Sequence, residues 1–188
     1  SPNAGKVNPG RDHVLIGKER HDLGRPGDVG YPIRGIFKCN YLYLRNLEPE
    51  RWPVGNPETG YMNCDGSPTK TEIIRLRREE GVTEYWEWSF GKRPEEELYD
   101  ISADPACITN LANDPEHAQM KGELRAQLER ELTEQGDPRM TDGLALDENP
   151  VHDPNGVRSN FHERFLNGEL EPAGWITPTD VDPEMADG

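Results

Sequence analysis

The stretch Glu97-Leu98-Tyr99-Asp100-Ile101, followed by Asp104-Pro105 and then by Asn110-Leu111-Ala112, decides the fold. Within its first five residues the side chains alternate between two faces, which is typical of a half-buried strand. Asp104-Pro105 ends that strand, because proline has no backbone N–H with which to continue a β ladder. The sequence therefore predicts a strand that leads through a turn into the next element.

The clearest helix of the chain follows, over residues 114–135. Asp114-Pro115-Glu116 begins it with a side-chain cap, a proline at the first helical position and a carboxylate near the positive helix end. Gly136-Asp137-Pro138 ends it. The apolar residues of this helix recur at every fourth position and form a stripe that can cover one face of a sheet; they are Met120, Leu124, Leu128 and Leu132.

Upstream, residues 33–47 predict a β-hairpin with its turn near Asn40-Tyr41. The first strand places Ile33, Phe37 and Cys39 on one face, and the second strand places Leu42 and Leu44 on one face. The alternation within each strand indicates that the hairpin belongs to a sheet with a packed side.

Two further helices are predicted between the hairpin and the strand at 97–101. Ser67-Pro68 supplies a cap and a proline at the first helical position, and the helix runs to Glu80 and is closed by Gly81. Residues 83–90 are dense in aromatic side chains and are interpreted as a short helix that packs on the back of the sheet. These elements together predict an α+β fold, with a small, mainly antiparallel sheet backed by the long helix at 114–135.

Composition limits the classes of function. The 188 residues carry a formal net charge of −15, only 32% are hydrophobic, and 19 glycines and 17 prolines are present. Nucleic acids and anionic membranes are excluded as partners, because both require basic patches. An anionic sugar must be bound locally, since the overall field repels it. The apolar content is low for a self-sufficient core and suits a chain that packs against a larger surface.

Neither a membrane span nor a cysteine framework is predicted. No apolar run approaches the ~20 residues that a transmembrane helix needs. The three cysteines have neither metal-site nor disulfide-framework spacing. Free buried thiols are the favoured interpretation, and one bridged pair is the alternative.

Several short motifs, taken together and in order, resemble the C-terminal end of sulfatases, in particular bacterial enzymes similar to lysosomal sulfamidase, the heparan N-sulfatase. The resemblance covers roughly residues 5 to 140. Besides the stretch at 97–101, it is carried by Gly17-Lys18-Glu19-Arg20-His21, Gly30-Tyr31-Pro32-Ile33-Arg34, Tyr41-Leu42-Tyr43-Leu44-Arg45-Asn46, Arg51-Trp52-Pro53, Asp65-Gly66-Ser67-Pro68-Thr69-Lys70 and Phe90-Gly91-Lys92-Arg93-Pro94.

The resemblance, together with the acidic and proline-containing composition of residues 141–188, implies a division of the chain into three parts. Residues 1–30 are expected to contribute a strand, His13 to Ile16, and a loop that complete the large α/β domain of an alkaline-phosphatase-like sulfatase. Residues 31–140 are expected to form its C-terminal α+β subdomain. Residues 141–188 are expected to be an extended acidic tail that wraps the partner domain through apolar residues, namely Phe161, Phe165, Leu166 and Trp175.

The catalytic centre of such an enzyme is missing from this sequence. Sulfatases of this type oxidise the first residue of a C/S-x-P/A-x-R motif to formylglycine, and Cys39, Cys64 and Cys107 do not fit that motif. The acidic residues that hold calcium in the family are missing as well. The resemblance therefore implies that formylglycine and calcium belong to a missing N-terminal domain, and that this chain has no catalytic and no metal-binding residues. Without nucleophile and cation, the chain alone is predicted to be inactive.

The resemblance also implies a substrate-binding role for Glu19, Arg20 and His21, which follow the strand at 13–16. Ligands of open α/β sheets bind beyond the carboxyl ends of strands. His21 matches a histidine of the sulfamidase pocket, although Arg20 and Asp22 replace that enzyme's neighbouring histidine and glutamate. Arg20 can pair with a sulfate or a uronic carboxylate, or it can form a structural ion pair with a nearby acid. His21 can likewise be an ordinary histidine at a domain junction.

Two other groups of residues invite a functional interpretation. Asp147, His152, Asp153 and Asn155 are rich in metal-ligating types, but their spacing matches neither an EF-hand nor a zinc site, and a metal is not predicted there. The aromatic residues at 85–90 could be a platform on which sugars stack, yet their place before a strand favours a role in the core.

The sequence thus predicts the C-terminal part of a sulfatase that acts on sulfate esters or N-sulfate groups of a sulfated saccharide. Its expected partners are the N-terminal sulfatase domain and that saccharide, and family resemblance implies a periplasmic or secreted location. The alternative is an autonomous, non-catalytic acidic interaction module derived from a sulfatase. The sulfatase hypothesis requires a second segment that carries the formylglycine motif.

Overall fold

A computed structural model describes residues 11–21, 23–55, 58–60, 63–141 and 159–182. The chain divides into two compact units. The first, named here the sheet unit, consists of Ser1–Lys18, Ile33–Leu47 and Pro94–Gly143. The second, the loop unit, consists of Glu19–Pro32, Glu48–Arg93 and Leu144–Gly188.

The sheet unit contains a four-stranded sheet in which each strand pairs antiparallel with the next along the chain. Its strands are β1 (His13–Lys18), β2 (Ile33–Lys38), β3 (Tyr41–Asn46) and β4 (Glu96–Asp100). Cys39 and Asn40 join β2 to β3 with φ values of 51° and 65°. Two consecutive left-handed residues are the geometry of a two-residue type I′ turn, which matches the natural twist of a hairpin. The predicted hairpin is confirmed.

The helices are α1 (Pro68–Arg75), α2 (Glu84–Phe90), α3 (Ala118–Glu134), α4 (Pro138–Thr141) and α5 (Phe161–Leu166). A π-helical segment, Leu76–Glu80, extends α1. Short 3₁₀ turns occur at Pro26–Asp28, Pro115–His117 and Pro178–Asp180. Together with the small antiparallel sheet, these helices confirm the predicted α+β class. None of the described helices combines the length and the apolar character that crossing a bilayer would require.

The core of the sheet unit lies between one face of the sheet and α3. The strand register aligns Leu15, Ile36, Tyr43 and Leu98 in one row across the four strands. The predicted stripe of α3 covers this row, because Leu124, Leu128 and Leu132 are buried in the same cluster and Met120 packs at its margin. Burial of such side chains contributes roughly 1.5–3 kcal/mol each, so this layer is the main source of the unit's stability.

The face of the hairpin that packs in this core is not the one that the sequence analysis singled out. Ile36 and Tyr43 are fully buried, whereas Phe37 and Leu42 lie on the opposite face and are only partly buried. Both faces of the hairpin carry apolar residues, and alternation alone does not tell which face a helix will cover.

The strand at 13–16 was predicted to lie in a large α/β sheet, and here the structure differs. β1 is the edge strand of the small sheet, where Leu15 pairs with Ile36. A short β-branched run predicts a strand but not its partner. Val14 and Ile16 point away from the core row and are 59% and 41% exposed. The two units interleave along the sequence, and the predicted division of the complete enzyme at residues 30 and 140 stays a prediction.

His13 joins β1 to α3 and gives the sheet unit a predicted pH dependence. Its ring lies 2.8 Å from Asp12 Oδ1 and 2.8 Å from Glu131 Oε2. The hydrogen bonds to Asp12 and then to Glu131 raise the pKa of His13 above its ordinary 6.5. The ion pairs therefore stabilise the fold fully below pH 6.5, and this contribution is lost as the pH rises through the raised pKa.

We expect the midpoint of urea unfolding to fall between pH 6 and pH 9 in the wild-type chain, and to fall less in His13→Gln. Gln at this position can still hydrogen-bond but does not titrate. Parallel pH profiles for the two proteins would contradict the assignment.

The loop unit has a second core around α1 and α2. Ser67 caps α1 by accepting a hydrogen bond from the Lys70 backbone N–H, and Gly81 ends the helical segment at φ 69°, as predicted. Trp86 and Phe90 of α2 pack in a cluster with Ile74 and Ile176. The prediction that this helix backs the sheet is therefore wrong, because a short aromatic helix fits any apolar surface and its sequence does not select one.

The predicted extended tail is also corrected over its described part, residues 159–182. This segment forms α5 and a 3₁₀ turn, and Phe161 and Ile176 are buried in the chain itself. Leu166 and Trp175 are partly exposed. Two well-placed apolar side chains are enough to anchor a short segment that is polar on average. The Asp147, His152, Asp153 and Asn155 group lies outside the described residues.

The cysteines are all free thiols, which confirms the favoured interpretation over a bridged pair. Their predicted burial is only partly correct. Cys39 is exposed in the hairpin turn, and Cys64 and Cys107 are half-buried.

Candidate functional site

The candidate site lies in the loop unit, where a long loop follows the end of β1. The loop is closed at its base, because the Tyr31 backbone N–H donates to the Glu19 carbonyl at 2.7 Å. A Cβ on Gly30 would come within 2.5 Å of that carbonyl oxygen. Only glycine allows this close approach, so the sequence itself fixes where the loop begins and ends.

The three predicted substrate-binding residues stand at the start of this loop. Glu19 is half-buried and uses its carbonyl to close the loop. Arg20 is half-buried, and its Nη1 donates to the Asp28 carbonyl at 2.8 Å. His21 is exposed, and no described residue hydrogen-bonds its ring. Arg20 thus binds a backbone carbonyl, and its alternative ion pairs with Asp22 or with an acid of another domain lie outside the described residues. The role of all three residues in substrate binding stays a prediction.

Farther along the loop unit, a cavity of about 220 Å³ is present. We call it the arginine cavity, and its lining residues are Arg25, Pro26, Val29, Glu50, Arg51 and Trp52. Its wall combines guanidinium groups with an indole ring, which is the combination suited to an anionic group carried on an apolar ring.

Arg25 is the buried element of this wall, with only 1% of its surface exposed. Its Nε donates to the Trp52 carbonyl at 2.7 Å and its Nη2 to the Pro53 carbonyl at 2.8 Å, and the guanidinium lies 5.8 Å from the centre of the Tyr31 ring. Nη1 is buried and has no hydrogen-bond partner in the described part of the chain. The guanidinium is therefore held in place by the two carbonyls, while its Nη1 atom makes no hydrogen bond to the described residues.

The electrostatics around Arg25 are positive. Burial lowers the pKa of Arg25 to about 10; Tyr31 acts against this shift, and the neighbouring charges of Arg20 and Arg51 act in its favour. Arg25 stays protonated at neutral pH even so, because its pKa remains well above 7. A local positive site thus exists in a chain whose net charge is −15. Two carboxylates oppose this charge, namely Glu50 in the cavity wall and Glu48, whose carboxylate lies 3.5 Å from Arg51.

Trp52 is held in place by other residues of the loop unit. The Trp86 ring meets it edge to face with centroids 5.8 Å apart, and Lys92 Nζ lies 5.1 Å from the Trp52 ring centre. Cation–π and aromatic contacts of this kind stabilise by about 0.5–1.5 kcal/mol each. Trp52 is therefore a fixed wall of the cavity and a member of the second core at once.

No sequence pattern predicts a binding role for Arg25, Arg51 or Trp52. Residues 24–28 were interpreted as loop by composition, and Arg51-Trp52-Pro53 was used only as a family motif. The available signal was the presence of arginines next to prolines in a chain with 21 basic and 36 acidic residues. What the sequence does not reveal is that two such segments meet at one cavity.

The aromatic residues at 85–90 divide into buried and exposed side chains. Trp86 and Phe90 belong to the core, as favoured. Tyr85 and Trp88 are each 43% exposed and meet edge to face at 5.7 Å.

The residues described do not fit a resident metal. No group of three or more His, Cys, Asp or Glu side chains among them is arranged to hold an ion. The calcium that the family resemblance implies would therefore need ligands elsewhere in the protein.

Comparison with known proteins indicates the class to which these features belong: the chain is related to sulfatases. It is 37% identical over 134 residues to the ulvan-active sulfatase of Formosa agariphila, a match that covers 69% of this chain and 20% of that protein. The chain thus spans about one fifth of the length of this curated relative. This match confirms the prediction that the chain derives from a sulfatase. It does not show a sulfamidase-like specificity.

A solved structure, that of a candidate sulfatase from Bacteroides thetaiotaomicron, covers 81% of this chain and 21% of its own chain, with 20% identity and a TM-score of 0.40. A score this low does not establish a common fold. No protein-family model matches the chain.

Proposed function

We propose that this chain is the C-terminal part of a sulfatase that hydrolyses sulfate esters or N-sulfate groups on a sulfated saccharide. The observation that carries the proposal is the 37% identity to an ulvan-active sulfatase. The local positive site in an otherwise acidic chain adds support, because an enzyme of this class must bind an anionic sugar.

In this proposal the chain lines the substrate pocket and does not perform bond cleavage. Glu19, Arg20 and His21 would orient the sugar next to the reacting sulfate. The formylglycine nucleophile and the calcium ion would be supplied by the N-terminal domain, which is the chain's expected partner. The complete enzyme would be periplasmic or secreted, where sulfated polysaccharides are met.

The curated relative and the resemblance to sulfamidase suggest two different substrate classes. The curated relative is named for ulvan, and the sequence resemblance to sulfamidase suggests N-sulfated heparan sulfate. The test is to incubate the full-length protein with ulvan oligosaccharides and with heparan sulfate oligosaccharides and to measure the release of inorganic sulfate. Release from neither substrate would refute the proposed function.

The 188-residue chain alone is expected to release no sulfate from aryl sulfates or N-sulfated sugars. The reason is that its sequence contains no formylglycine motif, so sulfur is not attacked. The measurement compares the pure chain with a heat-killed control. Turnover above that control would contradict the division of labour proposed here.

The alternative function, an autonomous acidic interaction module, makes a different prediction for the natural protein. It requires this chain to occur without a segment that carries the C/S-x-P/A-x-R motif. Intact mass and sequencing of the protein purified from its source distinguish the two functions.

A further inference from the structure

We propose that the arginine cavity is a subsite for an anionic group, a sulfate or a carboxylate, carried by a saccharide ring. This inference rests on the proposed function but concerns residues that neither the sequence nor the comparisons assign. It also differs from the prediction for Glu19, Arg20 and His21, because it concerns a second contact with the same sugar chain.

Arg25 is buried, and no carboxylate in the described part of the chain pairs with it. Removing a guanidinium from water costs several kcal/mol unless an anion compensates it. In the described part of the chain Arg25 has two carbonyl acceptors and an aromatic neighbour, and no carboxylate pairs with it. Arg20 and Arg51 disfavour its charge, whereas Tyr31 favours it. Such a site lowers its free energy when an anion enters the cavity next to it.

The second argument is the composition of the wall. Arg51 lines the cavity with a side chain that is about one fifth exposed, and its guanidinium is oriented by the Gly30 carbonyl, 3.1 Å from Nη1, and by the Glu48 carboxylate, 3.5 Å from Nη2. Trp52 and Pro26 add apolar surface on which the C–H face of a pyranose ring can pack. A wall that combines guanidinium groups with a flat ring suits a charged sugar better than a free inorganic ion.

The third argument is size. The volume of about 220 Å³ is below the 300–1,000 Å³ of pockets that enclose drug-sized molecules. It has room for a single sugar residue with its substituent. The cavity is therefore a subsite for one residue of a longer chain.

The test measures binding and turnover separately in the full-length protein. Binding of the ulvan and heparan sulfate oligosaccharides is followed by calorimetry for wild type, Arg51→Gln and Glu50→Gln. Arg51→Gln removes a positive charge from the cavity, and Glu50→Gln removes the negative one. Arg75→Gln is the matched control, because Arg75 pairs with Glu72, Glu79 and Glu80 and does not line the cavity.

We expect Arg51→Gln to raise the Kd of the oligosaccharide that binds wild type by a factor of about 10 to 100, which is the effect of losing a charge-assisted hydrogen bond. Glu50→Gln should lower that Kd severalfold, and Arg75→Gln should leave it within about twofold. The desulfated and carboxyl-reduced oligosaccharide should bind at least tenfold more weakly to wild type. A higher Kd for Arg51→Gln together with a lower Kd for Glu50→Gln would not arise from general damage to the fold.

Three outcomes would overturn the subsite. They are an unchanged Kd for Arg51→Gln, equal binding of the uncharged sugar, and no binding of either oligosaccharide by wild type. The first of these, combined with a lower melting temperature of Arg51→Gln, would show that Arg51 has a structural role instead. Failure of the proposed function is recognised differently, as binding without release of sulfate.

Discussion

Leu128→Asp is expected to unfold the sheet unit or to lower its melting temperature by more than about 10 °C. Leu128 is 1% exposed and packs at the centre of the cluster formed by Ile36, Tyr43 and Leu98. A carboxylate placed there has no described basic partner in that cluster, and burying it costs several kcal/mol. Loss of the leucine contacts adds about 2–5 kcal/mol. The sum is comparable to the whole stability of a typical domain.

Circular dichroism during thermal unfolding measures this effect, and Ala126→Asp is its control. Ala126 lies on the exposed side of the same helix, so its substitution introduces the same residue at a helix-propensity cost of only about 0.7 kcal/mol. If Leu128→Asp melted at the wild-type temperature, the packing of α3 against the sheet described here would be wrong.

His21→Ala is expected to have the largest effect on function among the predicted site residues. In the complete enzyme it should lower kcat/KM for the natural saccharide by a factor on the order of 10 to 1,000, equivalent to ~1.4–4 kcal/mol. His21 is exposed and makes no described hydrogen bond, so its substitution removes little from the fold. A small aryl sulfate lacks the sugar that His21 would hold and should be affected much less.

Steady-state kinetics on both substrates test this expectation, with His117→Ala as the control. His117 pairs with Asp114 at the start of α3 in the sheet unit and has no assigned part in binding. Equal losses on both substrates would indicate general damage. Unchanged kinetics on both would show that His21 is an ordinary surface histidine.

Sequence patterns predicted the elements of this chain well where local signals were strong. The cap at Ser67 and the glycine at position 81 bounded a helix, and the leucines of α3 identified its buried stripe. These features are local, since each depends on residues within a few turns of each other. The α+β class followed from their order along the chain.

The partners of those elements were predicted less well. β1 pairs in the small sheet, and α2 packs in the loop unit, because an apolar strand or a short aromatic helix fits several surfaces. The cavity was missed for the same reason. Arg25 and Trp52 are 27 residues apart and are joined by a hydrogen bond to a backbone carbonyl, a contact that leaves no periodic trace in the sequence.

The strand order also has a consequence for how the chain folds. β2 and β3 are joined by a two-residue turn, whereas the pairing of β3 with β4 closes a segment of roughly 50 residues between Asn46 and Glu96. Closing such a loop costs about 3.5 kcal/mol of chain entropy by the logarithmic rule, while the hairpin forms with almost none. The hairpin is therefore expected to form early and β4 to dock late. Prior folding of residues 48–93 would shorten the effective loop and speed that last step.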